Sequence, residues 1–310
     1  TPSTAPEETR FHEQRYTWVC QSPVRAISTS QNFIAVATGG EEVYLLCPKS
    51  LNLLRTLEIS GWNVISIDSL RDGTQIAFGC AFSVRSGKFG GQVLVWDTAE
   101  DRVTYNTRQH GSDVVTIAFS PDGKFLASGS SDGTIHVHRS IHGGFAPFHT
   151  IGNDGVVENG VMSVAFSLDS QTLAASRYNC QIMLWKFEEG VPSNRRVVTT
   201  RETVESIRFL PNTSYPSYLV SASRSMDIEL CDTSEEEPRQ RVIVEGHTRY
   251  NSKCKCSHGE YRSEYMSNPE CSEKGHSNWL SHVACAPGEI VTCGLDSAVK
   301  IWSVKMAARE

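Results

Sequence analysis

The stretch Val114–Arg139, VVTIAFSPDGKFLASGSSDGTIHVHR, restricts the fold more than any other part of the chain. Its residues group into three short segments: Val114–Phe119, Phe125–Gly129 and Thr134–Arg139. Each is rich in the β-branched and aromatic types that fit a pleated surface. Ser120-Pro121-Asp122-Gly123 and Ser131-Asp132-Gly133 stand between them. Proline presets φ in such a turn, and glycine takes the position that needs a positive φ. The spacing predicts three antiparallel strands joined by two tight turns. A sheet of this size cannot bury both of its faces by itself.

The pattern recurs. Copies open at Val24, Val64, Val114, Val161, Val204 and Leu280, at intervals of 40, 50, 47, 43 and 76 residues. Their third strands read EEVYLLC, GGQVLVWD, TIHVHR, CQIMLWKF, DIELCDT and SAVKIWSV. The best copy closely resembles a WD40 repeat, whose unit is about 40–45 residues long. The resemblance is strong in copies three and six and weak in copies one and five. It covers roughly residues 16–305.

That resemblance implies an all-β β-propeller, in which radially packed sheets cover one another's faces. The repeat count favours six complete blades. Seven is the alternative and needs a blade inside the 76-residue interval, where no second three-strand pattern is visible. In the family the ring is closed by a strand from the N-terminus, a role that falls to Arg15–Cys20. Outer strands are expected at Leu53–Ile59, Val103–Thr107, Ala146–Ile151, Arg196–Thr200 and Gln240–Glu245. The domain plan is a tail at 1–14, a propeller at 15–305 and a tail at 306–310, with a Cys-rich insertion at about 248–275. Thr1 in place of Met reads as the start of a fragment or of a processed form.

WD40 blades often carry a buried network of His, Ser or Thr, Asp and Trp. By position, copy six supplies His276, Thr292, Asp296 and Trp302, and copy three supplies His110, Ser128 and Asp132 with His138 in place of Trp. A catalytic-triad reading of His, Ser and Asp is available. The family role is structural: the set satisfies its own polar groups and holds a blade together. His136 and His138 also form a His-x-His on one strand, either a metal pair or a packing replacement for Trp.

The segment between Glu245 and Leu280 departs from the repeat. It is hydrophilic, lacks periodicity, and carries Cys254, Cys256, His258 and Cys271. Three readings stand: a loop with free thiols, a disulfide, or a structural zinc held by those four residues, with His247 an alternative fourth ligand. Cys-x-Cys is not the common Cys-x2-Cys knuckle spacing. No other cofactor is implied. Most of the ten cysteines sit singly in apolar strands and read as small buried hydrophobes in a reducing compartment. With no signal-peptide pattern and no run near the ~18 residues of a membrane span, the expected location is intracellular, cytoplasmic or nuclear.

A net charge of −6 disfavours nucleic acid as a direct ligand and favours a protein partner. There is no phosphate loop, nucleotide fingerprint, nucleophile elbow or HExxH. The Gly-rich Gly87–Gly91 lies in a hairpin and reads as a turn. By resemblance the chain is a non-catalytic platform that binds a peptide or protein on its top face, within a larger assembly. The expected anchors are large side chains in the loops of that face: Trp62, Arg85, Phe89, Asp113, Arg177, Tyr178, Arg224 and Trp279. The alternatives are the substrate-recognition part of a ubiquitin ligase of the F-box/WD40 kind, and an enzyme on a propeller frame. The Trp-Asp-x-Arg signature of adaptor-bound propellers is absent, since Trp96-Asp97 is followed by Thr98-Ala99.

Overall fold

A computed structural model describes residues 24–81, 90–152, 159–188, 190–211, 217–224, 228–234, 240–244, 280–286, 289–294 and 299–303. They form 23 strands. Blade 1 holds β1 (Ala26–Thr29), β2 (Ile34–Ala37), β3 (Glu42–Leu46) and β4 (Leu53–Glu58). Blade 2 holds β5 (Asn63–Ser69), β6 (Gln75–Ala81), β7 (Gly91–Asp97) and β8 (Arg102–His110). Blade 3 holds β9 (Val114–Phe119), β10 (Phe125–Ser130), β11 (Ile135–Ile141) and β12 (Gly144–Ile151). Blade 4 holds β13 (Val161–Phe166), β14 (Thr172–Arg177), β15 (Gln181–Glu188) and β16 (Val191–Thr199). Blade 5 holds β17 (Val204–Phe209), β18 (Tyr218–Ser223), β19 (Ile228–Asp232) and β20 (Gln240–Val244). The last sheet holds β21 (Leu280–Ala286), β22 (Glu289–Gly294) and β23 (Val299–Ser303). Every sheet is an antiparallel meander in chain order. No helix among the described residues is long and apolar enough to cross a membrane.

The blade count corrects the expectation of six complete blades, and that of seven. Five sheets have four strands, and the sixth repeat gives three. The reason is one of partners. The outer strand of blades 1–5 follows its neighbour after a short hairpin, whereas β23 would need a strand from far along the chain. Arg15–Cys20, expected in that role, lies outside the described residues.

Turn chemistry sets the strand boundaries. The Ser120 hydroxyl accepts the Phe125 N–H at 2.9 Å and donates to Asp122 at 2.6 Å, while Gly123 sits at φ 70°. Ser167 repeats this in blade 4, accepting the Thr172 N–H at 2.8 Å and donating to Asp169 at 2.5 Å. Identical register follows. Trp96, His138, Trp185, Cys231 and Trp302 each pair with an apolar residue near the start of the second strand, namely Ile76, Leu126, Leu173, Leu219 and Ile290.

The core lies between blades. Phe33, Leu45, Leu57, Trp62 and Phe78 fill the first interface, and Val95, Tyr105, Phe119, Leu126 and Phe145 the second. Phe125, Phe166, Trp185 and Phe187 fill the third, and Val198, Ile207 and Leu219 lie in the fourth. Hydroxyl groups on the inner strands add a polar stitch from each blade to the next. Ser66 donates to the Val114 carbonyl at 3.0 Å. Thr116 accepts the Val164 N–H at 3.0 Å, and Ser163 accepts the Ile207 N–H at 3.3 Å. Asp68 joins three blades, taking the Phe119 N–H at 2.8 Å and the Ser28 hydroxyl at 3.2 Å. Burial raises its carboxyl above the ordinary value, against the pull of those donors and of Arg208.

Candidate functional site

Two clusters collect the polar residues singled out in the sequence. The first runs through blade 3. Tyr105 Oη lies 3.0 Å from His138 Nδ1, and His138 Nε2 lies 3.1 Å from Ser128 Oγ. Ser128 Oγ lies 2.8 Å from His110 Nε2, and His110 Nδ1 lies 3.0 Å from Thr134 Oγ1. Thr134 closes the line on Asp132 Oδ1 at 2.6 Å.

One end fixes the direction of every proton in this line. An ionised Asp132 only accepts, so the Thr134 hydroxyl donates to it and its oxygen takes the His110 Nδ1–H. His110 Nε2 is then bare and accepts from Ser128. Ser128 in turn accepts the His138 Nε2–H, and bare His138 Nδ1 accepts from Tyr105. In their neutral forms the two rings carry opposite tautomers, assigned by this count. The surroundings of His138 keep it neutral. Burial, with His136 and His110 nearby, pushes His138 down to about 3. Burial also lowers His136 to about 4, with His110 adding to it and Asp132 opposing. Burial alone would raise Asp132, but hydrogen bonds from His110, Thr134 and the Gly111 N–H outweigh it and hold the carboxyl below the carboxylate range.

Ser128 and His138 are fully buried, so no substrate reaches the Ser128 hydroxyl. The line therefore holds the fold rather than running chemistry. His138 does what an indole cannot: it donates to Ser128 and also accepts from Tyr105, which belongs to blade 2. Both of its nitrogens are used, and His136 turns Nδ1 to Thr150 at 2.9 Å. Among the described residues no group of His, Cys, Asp or Glu could hold a metal ion. Nothing in the repeat pattern points to Tyr105, because it lies on the neighbouring blade's outer strand. The corresponding residues of copy six are divided. Thr292 lies on β22 and Trp302 on β23, while His276 and Asp296 lie outside the described residues.

The second cluster lies on the turns between second and third strands. Tyr178 follows β14 and is 51% exposed. Arg224 follows β18 in the next blade, and its guanidinium carbon sits 5.4 Å from the Tyr178 ring centre. Glu205 on β17 pairs with Arg224. The Thr203 hydroxyl, just before β17, donates to the Tyr178 carbonyl at 3.2 Å and ties the two blades' turns together. An exposed tyrosine beside a pinned arginine is the composition of an interface anchor. Glu205 was not visible from sequence, being a single charge in an apolar strand.

Two expected anchors are corrected. Trp62 is 3% exposed and packs into the core between blades 1 and 2, with the Arg108 guanidinium 5.1 Å from its ring centre. Gly61, at φ 84°, turns the loop and carries the indole inward. Arg177 is fully buried, and donates to the carbonyls of Asn159 at 3.4 Å and Gly152 at 3.1 Å. It secures the approach to β13 and cannot meet a partner. Asp113 is half-buried at the start of β9, where its carbonyl accepts the Ser131 N–H. Arg85, Phe89 and Trp279 lie outside the described residues, as do Cys254, Cys256, His258 and Cys271.

The family model of the WD domain, G-beta repeat, matches residues 102–139, 147–186 and 267–303. The chain carries WD40 repeats. It is similar to a periodic tryptophan protein 2 homolog of Mus musculus, 35% identical over 92 residues, covering 30% of this chain and 9% of that protein. It is also similar to WD repeat-containing protein SL1-17 of Schistosoma mansoni, 29% identical over 172 residues, covering 54% of this chain and 50% of the relative. The chain thus spans half or less of the length of these relatives. Its fold matches the solved structure of U3-55K with a TM-score of 0.67 at 16% identity, over 92% of this chain and 79% of that one.

Proposed function

We propose that the chain is a non-catalytic scaffold that binds a protein or peptide partner on the face formed by the turns between second and third strands, within a multi-protein complex. The observation that carries this reading is the Tyr178–Arg224–Glu205 cluster. The ion pair to Glu205 fixes the arginine before any partner arrives, which lowers the ordering cost of binding. Tyr178 offers apolar area and a hydroxyl, the combination enriched where binding energy concentrates. Asp113 belongs to the same face, and so, by their sequence positions, do Arg85, Phe89 and Trp279.

The same reading takes residues 15–305 as one propeller domain, with the insertion at about 248–275 outside the repeat. The insertion's Cys254, Cys256, His258 and Cys271 are retained as candidate zinc ligands. Among the described residues Cys47, Cys80, Cys180 and Cys285 are outside any disulfide, which suits an intracellular, reducing location in cytoplasm or nucleus.

Affinity purification with the intact chain and with a Tyr178→Ala/Arg224→Ala variant tests the proposal. Tyr178 is exposed and Arg224 half-buried, so an unchanged melting temperature first shows that the variant folds, and the folded variant loses partners that the parent recovers. Recovery of the same proteins from both, at equal yield, refutes the top-face reading.

A further inference from the structure

The first strands of successive blades lie side by side and wall the channel at the centre of the propeller. Asp68, Ala118, Ala165 and Arg208 hold the same register position on four of them, opposite Ala77, Ala127, Ala174 and Val220 of the second strands. One level of the wall therefore carries a carboxyl and a guanidinium, with alanines between them. The two do not pair. The Asp68 oxygens take the Phe119 N–H and the Ser28 hydroxyl. Glu205, on the same strand as Arg208, is committed to Arg224. Arg208 is exposed, and its Nη1 donates to the Ile207 carbonyl at 2.8 Å and to Ser163 Oγ at 3.5 Å. Among the described residues it forms no ion pair, and the donors on Nε and Nη2 remain for a ligand. Its charge is felt on the far strand as well. Burial lowers His282 of β21 and Arg208 adds to it, with Glu205 opposing; burial raises Cys285 of that strand and Arg208 opposes it. Protein walls focus such a field on whatever enters between them.

We infer that Arg208 receives one carboxylate, from an aspartate or glutamate side chain that a partner polypeptide passes into the channel. A guanidinium already steadied by a backbone carbonyl presents its remaining donors as a fork, and a carboxylate matches that fork with two parallel hydrogen bonds. The small side chains of Ala118 and Ala165 leave the space beside it to the ligand. A phosphate, which carries nearly two charges, is disfavoured by Asp68 and Glu205, whereas a single negative charge balances the one arginine. Glu205 links the channel to the outer turns, since it holds Arg224 beside Tyr178 and also acts on His282. A partner seated on Tyr178 and Arg224 thus has the channel wall next to it. That the carboxylate belongs to a polypeptide rests on the scaffold reading above; the ion-pair chemistry does not.

The test titrates the intact chain with sodium acetate, with inorganic phosphate and with glutamate capped at both ends as amides, each against sodium chloride at equal ionic strength. The Arg208 Nε–H and the His282 ring signals are followed by NMR. Acetate and capped glutamate shift both signals to saturation, and chloride does not. Arg208→Gln, shown to be folded by an unchanged melting temperature, binds acetate at least about tenfold more weakly, read from the His282 ring. The titration of the parent chain decides the matter even if that variant does not fold. Absence of a saturable shift with acetate means that Arg208 meets only water and chloride, and overturns the inference. Equal affinity in folded Arg208→Gln also overturns it, as does tighter binding of phosphate than of acetate. Binding of acetate but not of capped glutamate overturns the polypeptide source. If the acetate test fails while Tyr178→Ala/Arg224→Ala still loses partners, the channel site falls and the scaffold reading stands. If acetate binds as expected while that variant keeps every partner, the channel site stands and the top-face reading falls.

Discussion

Acid should weaken this fold through two histidines of blade 3. His138 and His136 are held neutral, at about 3 and about 4, against 6.5 for an exposed imidazole. A histidine with a depressed value in the folded chain contributes stability that is present above the unfolded value and is lost as pH falls below it. Between pH 6 and pH 4 the unfolded chain takes two protons that the folded chain refuses. Each unmatched proton costs ~1.4 kcal/mol per pH unit, so the pair sets a slope of ~2.7 kcal/mol per unit near pH 5. Asp132, held low, adds its own loss only below about pH 4. Asp68, raised by burial, acts in the opposite sense because the folded chain binds its proton first. The assay is urea unfolding by tryptophan fluorescence at pH 7.5, 6 and 5, for the parent chain and for His136→Gln/His138→Gln. The variant is less stable at pH 7.5 but loses less on acidification, and the contributions of Asp68 and the remaining histidines cancel in the difference. Parallel profiles, or an NMR signal showing His138 titrating near 6.5, would refute the assignment of two buried neutral rings.

Three further outcomes follow from the packing. Tyr105→Phe leaves His138 Nδ1 without its donor and should cost roughly 1–3 kcal/mol in chemical denaturation, with partner recovery unchanged in the folded protein. Gly79→Ala would drive a methyl into Ser66 Oγ and to 2.7 Å from the Val114 carbonyl, across a tight blade interface. It should lower stability by about 1–3 kcal/mol or more, read as a fall in melting temperature. Metal analysis of the purified chain beside Cys254→Ser decides the 254–271 cluster: a zinc site gives one metal per chain in the parent and none in the variant, and free thiols give none in either.

Most of the fold could be read locally. Strand alternation and the Ser-x-Asp turns act over a few residues, so the strands and five outer hairpins fell where the pattern put them. The completeness of the last blade could not be read so, because the expected partner for β23, Arg15–Cys20, is far along the chain and lies outside the described residues. Exposure in loops was equally hidden. Trp62 and Arg177 resemble surface anchors until a positive-φ glycine and the neighbouring backbone turn them inward. Tyr178 stays outside because its ring rests against Arg224 of the next blade. His138 looked like a damaged tryptophan position, and only the neighbouring Tyr105 shows why an imidazole belongs there.

The unit that repeats in the sequence is not the unit that folds. Residues 102–139 begin with the outer strand of blade 2 and finish with the third strand of blade 3, and residues 147–186 are offset in the same way. Like overlapping roof tiles, each unit is lapped by its neighbour, and no cut in the chain frees one tile whole. The overlap also works in reverse. Removing 102–139 would leave β5, β6 and β7 facing β12, which has the direction and the edge to complete their sheet. A lineage can therefore gain or lose a unit and still have whole blades on either side of the join, changing the width of the ring without ever exposing a half-made one.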